Sequence, residues 1–317
     1  MTFSDILVRR NEYPSNGFDD NDLHRAVSAG HLTRVVTGAY ADARLWAELR
    51  PLEQHHIRVL ATAERLKTPA VFSHHAAAAL WGIRMLGAWP ALVDVTLERA
   101  SGGRSDGGLR RHCIGLEGVT TVTFEGLAVT SPAQTVVDLA RRLPFADGVV
   151  AMDSALHRKR RPNPLTTIDE IWEVVGRAAG QRGYRRAHAA AAFATSLSDS
   201  PEESHSRVQL HLLGFPAPVL QHPFALRDGS VAEVDFFWPD FQHVGECDGR
   251  SKYTDPAFLR GRTAQQAVIE EKNRENEIRR QVKAFSRWEP RELYPPTRLY
   301  DRLVRDGLPV TRRRPGR

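Results

Sequence analysis

The chain has 317 residues, with 44 Lys or Arg, 38 Asp or Glu, 41% hydrophobic residues and a formal net charge of +6. That length exceeds one ordinary core and suits two or three domains, and the composition belongs to a folded globular protein rather than a disordered one. Apolar runs such as AAAALWGI at 76–83 fall well short of the roughly 20 residues a bilayer requires, and the N-terminus carries Asp5, Arg9 and Arg10 in place of a signal-peptide core, so the expectation is a cytoplasmic protein with no membrane span.

Two cysteines, Cys113 and Cys247, make neither a disulfide framework nor a cysteine zinc site. Charge is unevenly spread. Residues 196–256 hold four Lys or Arg against ten Asp or Glu, and residues 257–317 hold sixteen against eight. An acidic cluster followed by a basic segment suits a cation held among phosphates, and equally a solvated charged helix.

In chain order, three regions are expected. Residues 1–50 read as a winged helix-turn-helix: a first helix around Ile6 to Arg10, a second over about 20–29 that ends at Gly30, and two strands in HLTRVVTGAYA meeting near Thr37-Gly38. His24, Arg25 and Ser28 then lie on the recognition helix and Arg34 on the wing, facing DNA or a protein. Residues 51–195 read as a mostly helical mixed α/β region. Ser73 and Ser131-Pro132 mark helix starts, and ALVDVTLER and TTVTFEGLAVT have strand character. The pairs His55-His56 and His74-His75 cannot chelate one ion from a single helix face, since adjacent helical residues point about 100° apart, and they receive no chemistry.

Residues 196–317 run helix, strand, strand, helix, strand, so the whole chain is α/β, or α+β overall, and this last region has a central mixed sheet. In VAEVDFFWPDFQHVGECDGRSKY a tight turn at Asp240-Phe241 makes paired residues sum to 481 and sets Asp235 opposite Glu246. Alternation then puts Glu233, Asp235, Glu246 and Asp248 on one face. Carboxylates crowded in this way repel, and a hard divalent cation such as Mg²⁺ accepts such ligands. Glu203 sits three residues after Ser200, where a capping box alone explains it.

The set of Glu203, Asp235, Glu246 with Asp248, then GRSKY and a helix carrying EEKNRENEIRRQ before FSRW, resembles the PD-(D/E)XK nuclease superfamily over about 196–295, most of all the branch related to very-short-patch-repair endonucleases. The resemblance implies a restriction-endonuclease-like domain that hydrolyses DNA phosphodiesters with Mg²⁺ or Mn²⁺, with DNA ahead of RNA as substrate. It also implies Asp235 and Glu246 as metal ligands and Glu203 as an accessory acid. The family lysine two residues after the second acid is replaced here by Asp248, a further ligand or a turn residue, and Lys252 or Lys272 is left to supply the amine. Arg274 and Arg279 are phosphate-contact candidates. In the amino-terminal part, NDLHRAVSAGHLTRVVTGAYAD, SHHAAAALWGI and VTSPAQTVVDLAR are similar to the type IV abortive-infection antitoxin family, which implies promoter binding or a toxin partner. The competing expectation is a non-catalytic DNA-binding regulator.

Overall fold

The computed structural model describes residues 6–10, 20–66, 68–98, 108–159, 163–248 and 263–316. The chain is mixed α/β and divides into two compact units: Met1–Leu156 with Arg161–Ala194, and His157–Arg160 with Thr195–Arg317. Both sides of residue 50 fall in the first unit.

In the first unit, β1 (Leu7–Arg9), β2 (Leu32–Val36) and β3 (Ala39–Asp42) form a sheet of order β1-β3-β2, beside α1 (Asp20–Ser28), α2 (Ala43–Glu48) and α3 (Pro51–Ala63). The helix expected around Ile6 to Arg10 is instead strand β1, paired antiparallel with β3 from Leu7↔Ala41 to Arg9↔Ala39. So short a segment takes its conformation from the sheet edge it pairs with, because its own helical propensity is too small to nucleate a turn. Gly38, at φ 79, closes the β2–β3 turn as expected.

The same unit continues through β4 (Val71–Phe72), α4 (His74–Trp81), β5 (Val93–Thr96), β6 (Leu109–His112), β7 (Thr121–Phe124) and β8 (Leu127–Thr130), whose sheet runs β6-β5-β4-β8-β7 with parallel and antiparallel pairs. Helices α5 (Pro132–Arg142), α6 (Phe145–Leu156), α7 (Ile168–Arg177) and α8 (Tyr184–Phe193) follow. Ser131 caps α5 through Gln134 N–H, as the Ser-Pro signal implies. Ser73 occupies the corresponding position of α4 but makes no side-chain cap. Its hydroxyl is engaged by His74 at 3.0 Å and Thr96 at 2.9 Å instead.

The second unit holds α9 (Pro201–Leu213), β9 (Val219–Ala225), β10 (Val231–Trp238), β11 (His243–Cys247), α10 (Ala264–Arg279), β12 (Ala284–Trp288) and α11 (Thr297–Arg305). The sheet order is β12-β11-β10-β9; β11 and β12 are parallel and the other pairs antiparallel. One core joins Leu210, Phe236, Trp238, Cys247, Trp288 and Leu303. Another joins Phe224, Ala232, Val234, Val244 and Ile278. Gly245 lies between two indoles: a Cβ there would stand 2.7 Å from Trp288 and 3.0 Å from Trp238, so no larger residue fits without displacing one of them.

Candidate functional site

The β10–β11 register pairs Phe236↔Gly245, Phe237↔Val244 and Trp238↔His243, all summing to 481, and so carries Asp235 to the position opposite Glu246. The turn is a four-residue connection with one turn of 3₁₀ helix at Pro239–Phe241 and Gln242 at φ 46.

The four acids nevertheless do not share a face. Ala232 and Val234 pack with Val244 and Ile278, whereas Phe236 and Trp238 pack in the other core, so the alternation of β10 changes phase between 234 and 236. Opposite this point, between the pairs Val234↔His222 and Phe236↔Leu220, Gln221 has φ 50. A residue in that conformation interrupts the pleat, which is the physical reason the expectation of a common face fails.

Glu233 is thereby directed to a cation absent from the sequence reading. Lys159 Nζ, from the short segment 157–160 belonging to this unit, donates to Glu233 Oε2 at 2.8 Å, to Asp199 and to Gln221 Oε1 at 3.4 Å. Arg158 adds a contact to Glu233 at 3.3 Å. The hydrogen bond from Lys159 holds the Glu233 carboxyl below its ordinary range. Burial acts downward on the Lys159 ammonium, but Asp199 and Glu233 together hold it above its ordinary value. Gln221 Nε2 in turn donates to Glu203 at 3.2 Å. Glu203 also accepts from Asp199 N–H at 2.9 Å and from the Ser200 hydroxyl at 2.8 Å, so it performs the capping role and is joined to Lys159 through one amide.

Asp235 accepts the Cys247 N–H at 2.9 Å. The Cys247 thiol is pushed up to about 12 by burial, against a hydrogen bond from Ser206, with the carboxylates of Asp235, Glu202 and Glu203 adding to the rise. It is chemically inert at neutral pH.

Glu246, 7% exposed, belongs to a different network. Arg274 Nη2 donates to its Oε1 at 2.9 Å and Arg287 Nη2 to its Oε2 at 2.7 Å. The same guanidiniums reach Glu271, and Arg287 also lies 3.1 Å from Glu275 and 3.6 Å from Asp248. With Arg279 also paired to Glu275, four carboxylates share three guanidiniums, leaving an excess of one negative charge. Burial opposes the charge on Arg274, but Glu271 and Glu246 hold it firmly protonated. Arg287 was missed by the sequence reading; the signal for it is the parallel pair Glu246↔Arg287, which needs the β12 register. Among the described residues no group of three or more His, Cys, Asp and Glu is arranged to hold a metal ion.

Lys252 lies outside the described residues. Lys272 is exposed on α10, and no described carboxylate pairs with it. Arg279 is tied to Glu275 at 2.6 Å and lies 4.4 Å over the Phe285 ring. His24, Arg25 and Ser28 are exposed on α1, where Arg25 pairs with Asp22, and Arg34 is exposed on β2, bonded to Thr37 at 2.9 Å.

No family model matches the chain. It is 32% identical over 139 residues to the uncharacterized proteins Rv2248 and MT2308 of Mycobacterium tuberculosis, matching 44% of this chain and 49% of each of them. The chain spans about half the length of these curated relatives. Among solved structures, the RV2827C protein of the same organism aligns with 63% of this chain and 75% of its own at 13% identity and a TM-score of 0.34, too low to assign a fold.

Proposed function

We propose that the protein acts on DNA, with a second unit of the nuclease-like class hydrolysing phosphodiesters and the α1–β3 region engaging DNA or restraining that activity through a toxin partner. The observation that carries this reading is the strand register, which sets Asp235 against Glu246 beside a surplus of carboxylates over guanidiniums.

That surplus and its all-oxygen donors suit a hard divalent cation such as Mg²⁺ or Mn²⁺. Asp235 and Glu246, with Asp248, would hold it, and when bound it supplies a polarised water and positive charge for a phosphoryl oxygen. The chain's own cations have distinct parts. Arg274 and Arg287 balance the acids and are the nearest donors to a phosphate brought there. Lys159 supplies the amine that Asp248 cannot, from the unit's own segment 157–160, while Gln221 and Glu203 orient it.

A second reading is a non-catalytic DNA-binding regulator, and one observation favours it: both Glu246 oxygens are already taken by guanidiniums. Incubation of purified protein with supercoiled plasmid and short duplexes under Mg²⁺, Mn²⁺ or EDTA separates the two. The nuclease reading expects metal-dependent nicking that disappears in Asp235→Ala and Glu246→Ala, and that falls by about 10²-fold in Lys159→Met. Metal-independent DNA binding without nicking, weakened by Arg25→Gln and Arg34→Gln, would establish the regulator instead.

A further inference from the structure

The first unit contains a cationic cavity that the foregoing reading does not use. It measures about 310 Å³ and is lined by His74, Ile114, Asp138 and the four arginines Arg141, Arg142, Arg182 and Arg186. A neighbouring cavity of about 640 Å³ shares Ile114, Asp138 and Arg141 with it and extends toward Gln134, Val174 and Gln181. Both sizes lie within the range of small-molecule sites, roughly 300–1,000 Å³.

The arginines are gathered by chain geometry. Arg141 and Arg142 end α5, while Arg182 lies in the turn that precedes α8 and Arg186 in the first turn of that helix. Gly183, at φ 83, lets the turn press onto α5, since a Cβ there would stand 2.2 Å from the Arg141 carbonyl oxygen. The Arg141 Nε donates to the Arg182 carbonyl at 3.1 Å and Arg186 Nη1 to the Arg142 carbonyl at 3.4 Å. Among the described residues, no carboxylate pairs with Arg142, Arg182 or Arg186.

The cavity's one acid offsets a single one of their four charges. Asp138, 3% exposed, is bonded to Gln134 at 3.1 Å and lies 3.5 Å from Arg141. Burial raises its carboxyl to about 6 even against those two partners, which leaves it mostly ionised at pH 7 as a single negative charge. His74 is buried and takes φ 49, a conformation that a non-glycine residue holds only where its surroundings impose it and that collects at ligand sites. Burial lowers its imidazole well below the ordinary range, so it lines the wall uncharged. Four guanidiniums converging on one void repel each other unless an anion sits among them, and their planar forks match phosphate oxygens.

We propose that this cavity binds the phosphate of a small phosphorylated molecule of nucleotide size, whose uncharged part occupies the adjoining cavity. The inference stands apart from the DNA-directed reading, because it uses other residues and a discrete ligand.

The test is calorimetric titration of the full chain with pyrophosphate, ATP and adenosine, with a short DNA duplex as competitor. Pyrophosphate and ATP bind, ATP about ten-fold tighter, and adenosine does not bind on its own. The double variant Arg142→Gln/Arg182→Gln weakens both phosphate ligands by about 100-fold while keeping the parent melting temperature, since both side chains are exposed. Arg65→Gln, elsewhere on the same unit, leaves binding unchanged. Absence of binding by the parent chain, or equal affinity in the double variant, overturns the proposal. So does a duplex that binds through Arg142 and Arg182 where pyrophosphate and ATP do not, which would make the arginines contacts to a nucleic-acid backbone.

Discussion

Two buried carboxylates, one in each unit, are neutralised by different chemistry. Asp94, 1% exposed, faces imidazoles: His112 Nε2 at 2.8 Å and His75 Nδ1 at 3.3 Å, with His74 stacked on His112 at 3.9 Å. Glu246 faces guanidiniums, Arg274 and Arg287. Guanidiniums stay charged at every accessible pH, whereas imidazoles titrate near neutrality. A buried acid is therefore permanently locked or pH-responsive according to its partner, and the Glu246 site further differs in that Glu271, Glu275 and Asp248 share its guanidiniums.

The largest expected effect breaks the guanidinium side. Arg287→Met leaves Glu246 with Arg274 alone beside Glu271, Glu275 and Asp248, and urea unfolding is expected to show a loss of about 3 kcal/mol, the low end for a broken buried pair because Arg274 remains and Arg287 is one-quarter exposed. An unchanged midpoint would mean the network contributes nothing and that Glu246 is free for other ligands.

Asp138 sharpens the contrast as a buried acid whose nearest guanidinium, Arg141 at 3.5 Å, does not offset its burial. Its folded value of about 6 lies above the ordinary 3.8, so its contribution is full below 3.8 and is lost as pH rises through 6. Asp138→Asn is accordingly expected to stabilise the chain by about 2–3 kcal/mol at pH 7 and by almost nothing at pH 3.5. Melting curves at the two pH values check this.

The imidazole side should respond in the opposite sense. His55, fully buried against Trp89, is lowered to about 3 by burial and then by Arg58, and His74 is lowered in the same direction. A depressed histidine contributes stability above its unfolded value of about 6.5 that is lost as pH falls below it. Asp94 acts likewise at lower pH: burial alone would raise it, but the hydrogen bonds from His112 and His75 prevail and hold it below its ordinary value. Between pH 7 and pH 5 the first unit should lose about 2 kcal/mol through His55, and His55→Leu should flatten that slope. A slope identical to the parent's would remove His55 from the account.

The smallest effect isolates the imidazoles. Arg110 is 3.5 Å from Asp94, at the limit of contact, with a side chain 38% exposed, so Arg110→Gln should change stability by less than about 0.5 kcal/mol. A larger loss would make the Asp94 site guanidinium-held after all.

Much of the local architecture was legible. Gly30 and Gly38 mark the end of α1 and the β2–β3 turn, Ser131-Pro132 marks the start of α5, and the spacing across Pro239–Gln242 produced the correct β10–β11 register. These signals act within a few residues, through φ restriction, capping and pleat alternation. Strand β6 escaped because LRRH has no apolar alternation, its pairing with β5 depending on a partner earlier in the chain. The common acid face failed because one left-handed residue, Gln221 on the neighbouring strand, coincides with a phase change that nothing in VAEVDFFW announces.

The candidate site divides in the same way. Asp235, Glu246 and Glu203 could be picked out from residue type and spacing. Their partners could not: Lys159 lies 74 residues before Glu233, and Arg287 comes 41 residues after Glu246. By itself the sequence determined which of the candidate carboxylates sit on strands and at a helix start, since strand alternation and caps are short-range properties of the chain. Only the tertiary structure decided which cation each carboxylate meets, because ion pairing depends on distances of a few ångströms between segments that only folding brings together.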